Sequence, residues 1–337
     1  MRRTVESFPA GWATLLLAVA GTAQAEEPRL WLERMNEALT QNNYEGEFQH
    51  WQRGKVENLR IIHRVQNGQV MERLVSLDGS GREFIRTGTE LTCYLPDRRV
   101  VLVERRAADA PLLGALPSID ESTASFYDIT EVKRTRVNRR DTRVIAVNPK
   151  DEFRYGYRLW IDESTAMPIR TQLCDARGRV IEQINFTSLK LPSRIPDTAF
   201  EPEVSTAGFQ WLRNDAQLPS NPAPALWSAL RLPPGFRMTV RAAQTLPGSS
   251  DPVEHIVFTD GFASVSVFVE QKVKSAPGPA ISGSARVGSS STFSTVIDGS
   301  QVTAVGEVPP QTVRFIANSM KADRLTIQPP RIQPPRR

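Results

Sequence analysis

Apolar and polar residues alternate with period two through most of this chain, and the helical period of 3.6 surfaces in two short stretches. From Tyr44 to Leu189 the alternation predicts eleven strands: 44–52, 58–65, 70–77, 81–87, 89–95, 99–105, 127–137, 142–148, 156–162, 168–175 and 179–189. Tyr157, Leu159 and Ile161 point one way while Arg158 and Trp160 point the other. Arg99-Val-Val-Leu-Val-Glu104 is almost solidly apolar, as a strand covered on both faces would be. The Arg177-Gly178 step reads as a hairpin, and Arg139-Arg140 as another turn. With almost no helix between the strands, the sheet is expected to be antiparallel and meandering. A sheet that wide is expected to curl toward a barrel.

The helical stretches flank this region at a distance. In 28–41, Leu32, Met35 and Leu39, with Trp31 and Ala38, share one face behind Pro28. After Pro309-Pro310, the residues Val313, Ile316, Ala317 and Met320 repeat at helical spacing. A break at 109–126, holding Pro111-Leu112-Leu113-Gly114 and Leu116-Pro117, predicts a mobile loop with one short helix. The expected organisation is therefore a first unit over 26–203, an extended Pro-rich linker over 204–226, and a smaller β unit over 227–322. Strands of the smaller unit are expected at 235–241, 253–258, 262–270, 291–297 and 301–306, with Asp298-Gly299 as a hairpin turn. The tail, 323–337, repeats Ile-Gln-Pro-Pro-Arg and is expected to be basic, extended and unpacked.

The first 25 residues read as a secretory signal: Arg2 and Arg3, an apolar run from Trp12 to Ala20, then Ala23-Gln24-Ala25. That run is too short to span a bilayer. No cysteine stands at the cleavage point, so an exported, unlipidated protein is expected, in the periplasm of a Gram-negative cell. There Cys93 and Cys174, both in strand-like runs, would either pair or remain separate buried thiols. Composition adds little: 40% apolar and 23% charged residues suit a folded chain, and a net charge of +5 is too mild to imply nucleic acid.

Chemistry is sparse. His50 and His63 lie on successive predicted strands and would face each other, without a third metal ligand; His255 reads as structural. Asp162-Glu163 and Asp151-Glu152 are sequence neighbours, which a strand points to opposite faces, so neither pair makes an acid/base dyad. No catalytic, cofactor or metal site is expected, and the chain does not read as an enzyme. The densest basic cluster is Arg134, Arg136, Arg139, Arg140 and Arg143. It reads either as a charged sheet edge or as a docking surface for an acidic partner or lipid phosphate.

Several segments in order carry a resemblance. They are Trp31-Leu-Glu-Arg-Met35, Asn43-Tyr44-Glu-Gly46-Glu-Phe48, Tyr155-Gly-Tyr-Arg-Leu-Trp-Ile-Asp162 with Met167-Pro168, and Leu232-Pro-Pro-Gly-Phe236. Phe258-Thr-Asp-Gly-Phe262-Ala-Ser-Val-Ser-Val-Phe268-Val-Glu270 and Val305-Gly-Glu-Val-Pro309 complete the set. Together they resemble the RseB/MucB family of periplasmic regulators of the envelope-stress sigma factor. The resemblance implies a mainly β (α+β) protein: a large half-open antiparallel barrel like the lipoprotein carriers LolA and LolB, and a smaller antiparallel sheet with a helix. It implies a partner, the periplasmic part of a membrane anti-sigma factor (RseA or MucA), shielded from the site-1 protease so that the sigma factor stays silent. It further implies release by lipopolysaccharide or lipid fragments in the large-domain cavity, and self-association; no nucleic-acid partner is expected. No family motif transfers ligand contacts. From the break in the strand pattern alone, Tyr94, Leu112, Leu113 and Leu116 are expected to line the cavity. The alternative is a periplasmic lipid or lipoprotein carrier that shares only the barrel.

Overall fold

The computed structural model describes residues 27–105, 112–113, 125–214, 226–245, 252–271 and 282–323. The expected leader, most of the 109–126 loop and nearly all of the tail lie outside these residues. Helix α1 (Pro28–Gln41) precedes β1 (Tyr44–Gln52), β2 (Lys55–Gln66), β3 (Gln69–Ser76), β4 (Glu83–Thr87), β5 (Glu90–Leu95) and β6 (Val100–Arg105). Then come β7 (Tyr127–Val137), β8 (Arg140–Pro149), β9 (Gly156–Asp162), β10 (Pro168–Cys174), β11 (Val180–Lys190) and β12 (Gln210–Asn214). All twelve form one sheet in the order β12-β6-β5-β4-β3-β2-β1-β11-β10-β9-β8-β7. Its end strands, β12 and β7, do not pair with each other, so the barrel stays half open.

Turn chemistry sets the registers. Arg53-Gly54 and Asn67-Gly68 both take positive φ, as two-residue hairpins between twisted strands require. The β7–β8 turn is Asn138-Arg139, also at positive φ, and Arg140 already belongs to β8 rather than to the turn.

The stretch after β11 does not behave as a free linker. It crosses the outer face of the sheet, where Ile195 and Phe200 pack on Ile62, and Val204 and Phe209 pack on Ile85, Tyr94, Val101 and Val103. It then adds β12 in parallel to β6. Parallel pairing requires such a crossover. Strands with two apolar faces, evident at 99–105, require the cover it supplies. A buried ion pair pins it: Arg73 Nη2 lies 2.8 Å from Glu83 Oε2, Arg73 donates to the Ala199 carbonyl, and Glu83 Oε1 accepts from the Glu203 amide. The rest of the expected linker, 215–225, lies outside the described residues.

On the inner face, α1 lays Trp31, Leu32, Met35, Ala38 and Leu39 against the sheet core around Tyr44, Ile61, Ile145, Leu159 and Phe186. Gly46 has no Cβ because the Phe186 ring lies against its backbone. Cys93 and Cys174 are both buried, and no disulfide joins them. They sit in β5 and β10 with five strands between, far beyond the roughly 4.4–6.8 Å Cα separation that a disulfide spans.

The smaller unit contains β13 (Trp227–Ala229), β14 (Arg237–Thr245), β15 (Pro252–Thr259), β16 (Ser264–Gln271), β17 (Gly283–Val287), β18 (Ser290–Ile297), β19 (Ser300–Gly306), helix α2 (Pro310–Ser319) and β20 (Met320–Ala322). Six of its strands form the sheet β14-β15-β16-β19-β18-β17, and β13 pairs with β20. Val313, Ile316 and Ala317 of α2 pack on Val265, Val267 and Val302. The pairs Asp298-Gly299 in the β18–β19 turn and Pro309-Pro310 at the start of α2 sit as the sequence predicts. Strands β13 and β20, of three residues each, and β17, Gly283–Val287, lie outside the strands expected from the sequence. Among the described residues, no helix is long and apolar enough to cross a membrane.

Arg154 joins the two units. It is fully buried, with Nη1 at 3.1 Å from Asp260 Oδ2 and Nε at 3.2 Å from Asp151 Oδ1, and it donates to the Pro234 carbonyl. The rings of Phe126, Tyr127 and Phe236 surround its guanidinium at 4.8, 5.6 and 5.4 Å. Gly235 completes the cage: its φ of +80° is left-handed, and a Cβ there would collide with Phe126. Removing one member of a buried pair strands the other charge. Arg154→Ala is therefore expected to cost about 3–5 kcal/mol in urea unfolding. A loss below about 1 kcal/mol would show that the junction does not depend on this pair.

Candidate functional site

Helix α1 covers only part of the inner face. A cavity of about 740 Å³, with no α1 residue in its lining, opens on this face, within the range of roughly 300–1,000 Å³ typical of small-molecule sites. Period-two alternation builds its walls: Phe48 and His50 on β1, Glu57 and Leu59 on β2, Leu74 and Ser76 on β3. Thr171 and Leu173 on β10 and Glu182 and Ile184 on β11 continue the same pattern. Its lining is apolar at Phe48, Leu59, Leu74, Leu173 and Ile184, and polar where His50, Glu57 and Glu182 meet.

Two further segments complete the enclosure. Leu112 and Leu113 lie between β6 and β7 in the sequence. The Leu112 amide donates to Glu72 Oε2 at 2.8 Å, and the same oxygen accepts from Arg86 Nε at 2.7 Å. Glu72 and Arg86 are both buried, so the Leu112 backbone is tied to a buried charge pair. The other wall belongs to the small unit. Asp260 accepts from the amides of Phe262 and Ala263, and this tight turn sends the Phe262 ring between Tyr127 and Tyr157, at 5.1 and 5.2 Å. Phe262 is thus part of the large unit's core and part of the cavity wall. Asp260 is the residue that meets Arg154.

The polar end is a hydrogen-bonded group shared by both units. His50 Nε2 lies 2.8 Å from Glu182 Oε1, and Gln52 Nε2 donates to Glu182 Oε2 at 2.8 Å. The hydrogen bond to Glu182 raises the His50 pKa above its ordinary value against the effect of burial. Burial pushes Glu182 up, yet hydrogen bonds from His50, Ser289 and Gln52 bring its carboxyl below the ordinary range. Glu307, just after β19, lines the same lumen and is exposed to solvent. Desolvation within the cleft pushes its pKa up, the Ser289 hydrogen bond opposes this, and the charge of Glu182 adds to the rise.

Of the four cavity residues expected from sequence, Leu112 and Leu113 are in the wall and Leu116 lies outside the described residues. Tyr94 is on the outer face, packed with Ile85 and Val101 beneath the crossover. Sequence reasoning missed Phe48, Leu59, Leu74, Ile184 and Phe262. The strand alternation groups the strand residues among them onto common faces but does not say which face is inner, and nothing local marks Phe262.

The histidines do not meet. His63 is opposite Tyr44 in the ladder and stacks on it at 4.6 Å, whereas His50 is opposite Glu57, six residues further along β1. His63 Nδ1 donates to the Asn42 carbonyl at 3.0 Å, and burial pushes its pKa down. His255 stacks on Phe268 at 4.5 Å, in keeping with a structural role.

The basic cluster is largely answered within the chain. Arg134 reaches Glu131 at 3.1 Å, Arg136 reaches Asp141 at 2.9 Å, Arg140 reaches Asp162 at 2.9 Å and Arg143 reaches Glu131 at 3.0 Å. Arg139 is exposed at the turn. Charges paired with neighbours in this way suit the protected sheet edge, one of the two readings that their density allows.

Comparison with known proteins places this architecture. The model of the MucB/RseB N-terminal domain matches residues 27–204, and that of the MucB/RseB C-terminal domain matches residues 221–321. The chain is 32% identical over 316 residues to the sigma factor AlgU regulatory protein MucB of Pseudomonas aeruginosa, covering 91% of this chain and 95% of that one. It is 30% identical over 302 residues to the sigma-E factor regulatory protein RseB of Salmonella typhimurium, covering 86% and 89%. The structure of the Pseudomonas aeruginosa MucA/MucB complex superposes with a TM-score of 0.68 at 30% identity, over 89% of this chain and 100% of that one. A crystal structure of MucB gives 0.56 at 31% identity, over 87% and 97%. With both of its units matched in order, the chain belongs to the MucB/RseB family.

Proposed function

We propose that this protein is a periplasmic, non-enzymatic regulator. It binds the periplasmic segment of a membrane anti-sigma factor, shields that segment from site-1 proteolysis, and so represses the envelope-stress sigma factor. An amphiphile such as lipopolysaccharide or a lipid fragment fills the cavity and releases the partner. The observation that carries the reading is similarity across both units to MucB, which has been crystallised with the periplasmic part of MucA. The leader-like first 25 residues agree with the compartment.

The cavity supplies a physical route for release. A ligand dissociates a partner only if it binds the partner-free form better than the bound form. Phe262 belongs to the small unit but walls the large unit's cavity, and its turn is anchored through Asp260 on Arg154. A chain entering the cavity therefore bears on the residue whose turn helps set how the two units meet. A lipid carrier would use the cavity but leaves this coupling without a task.

Two outcomes follow. The purified protein captures the periplasmic domain of a single-pass anti-sigma factor from its own genome, seen as a co-eluting complex in gel filtration. Separate elution at about 10 μM of each partner contradicts the reading. In Leu74→Trp, which fills the cavity with an indole, capture persists but the amphiphile concentration needed for release rises roughly tenfold or more. Release at the same concentration as the unaltered protein would place the amphiphile elsewhere.

A further inference from the structure

Across the first four strands one rung of the inner face is polar and buried. Tyr44 on β1 pairs with His63 on β2, His63 with Glu72 on β3, and Glu72 with Arg86 on β4. All four residues are buried. Period-two alternation puts His63 on the same side of β2 as Ile61 of the core and Leu59 of the cavity wall. Polar groups in such a place are costly unless each finds a partner.

His63 is held in one tautomer. A carbonyl only accepts, so the Nδ1 that lies 3.0 Å from the Asn42 carbonyl carries the ring's proton. Asn42 is the residue that caps the C-terminal end of α1. Nε2 then presents a lone pair to Glu72 Oε1, 3.9 Å away. Two acceptors face each other, and Glu72 Oε1 takes a hydrogen bond from no donor among the described residues. Glu72 Oε2 is engaged by Arg86 at 2.7 Å and by the Leu112 amide at 2.8 Å. The groups that face the imidazole are thus Tyr44 from β1, Glu72 from β3, Arg86 from β4 and the Asn42 carbonyl from the end of α1. Tyr44 adds no charge, since burial pushes its pKa up. Glu72 and Arg86 match in charge, so a proton on His63 would bring an unmatched positive charge into this row.

We infer that His63 is a proton switch on the cavity wall: the neutral ring keeps the row closed, and proton uptake loosens the hold of Glu72 on the Leu112 backbone. Two effects act in the same direction. An imidazolium draws Glu72 Oε1 from 3.9 Å toward a charge-assisted bond of roughly 2.7–2.9 Å, and Oε2 moves with it. The buried charge is also stabilised by water, which the Leu112 backbone helps to keep from Glu72. Burial holds the His63 pKa below its ordinary value, against the Glu72 charge and the Asn42 hydrogen bond, and Arg86 adds to the lowering. A closed form with the lower pKa is most stable above about pH 7, where neither form is charged. It loses that stability as pH falls through about 6.5, the value of a solvated imidazole.

The chain has three histidines, so the His63 ring is assigned by elimination with His50→Gln and His255→Gln in a proton NMR titration. Its midpoint in the unaltered protein is expected below about 6.5. Exchange of the Leu112 amide with water is followed in protein labelled with nitrogen-15 leucine and corrected for its intrinsic pH dependence. From about pH 7 to about pH 5 it is expected to rise more than about threefold and at most about 25-fold, the limit set by one solvated imidazole. In His63→Gln, whose side-chain amide can still donate to the Asn42 carbonyl, the change over this range is expected to stay within about twofold. A midpoint at or above the ordinary value, flat exchange in the unaltered protein, or a rise that survives His63→Gln overturns the inference. The titration uses the natural ring, so it decides even where His63→Gln does not fold.

Discussion

One helix cannot cover a twelve-stranded sheet. Fourteen residues of α1 span about 21 Å. Twelve strands side by side span more than about 50 Å before they curl. Curling shortens the inner face without closing it, because β12 and β7 remain unpaired. The part of that face which α1 leaves bare is the cavity. The part of the outer face that needs cover receives it from the crossover that ends in β12. The arrangement of the large unit follows from covering this sheet on both sides.

Three buried ion pairs fasten non-strand segments to the frame. Glu72 and Arg86 hold the Leu112 amide at the cavity, Arg73 and Glu83 hold the crossover, and Arg154 and Asp260 hold the small unit. Buried pairs are weak sources of net stability, since their desolvation offsets much of their attraction. What they supply here is position: each leaves acceptors or donors that particular backbone groups satisfy. Phe262 lies where two of these constraints converge, on the turn ordered by Asp260 and in the wall that Leu112 and Leu113 also line.

Much of the large sheet was legible because period-two alternation and left-handed turn residues are local signals. Asn67-Gly68 and Asp298-Gly299 specify their hairpins with no tertiary information. Faces and registers were less legible. Alternation separates the two sides of a strand without saying which is inner, so Tyr94 was assigned to the cavity although it lies under the crossover. The two histidines are on adjacent strands, but the Arg53-Gly54 turn fixes a register that offsets them by six residues. The parallel strand β12 was hidden in a proline-punctuated stretch, because its reason lies in the apolar outer face of strands far earlier in the chain. The density of arginine left a charged edge and a docking surface both open, and the carboxylates that pair with it come from neighbouring strands and turns.

The central claim is that the cavity and the partner surface are thermodynamically linked through the junction of the two units. The direct measurement is the coupling factor: amphiphile affinity with and without the anti-sigma periplasmic domain, and the domain's affinity with and without amphiphile. Linkage requires the two factors to be equal. Each ligand is expected to weaken the other by the same factor, well above one, and Phe262→Ala to move this factor toward one. Simultaneous, independent binding of both ligands to the unaltered protein would contradict it.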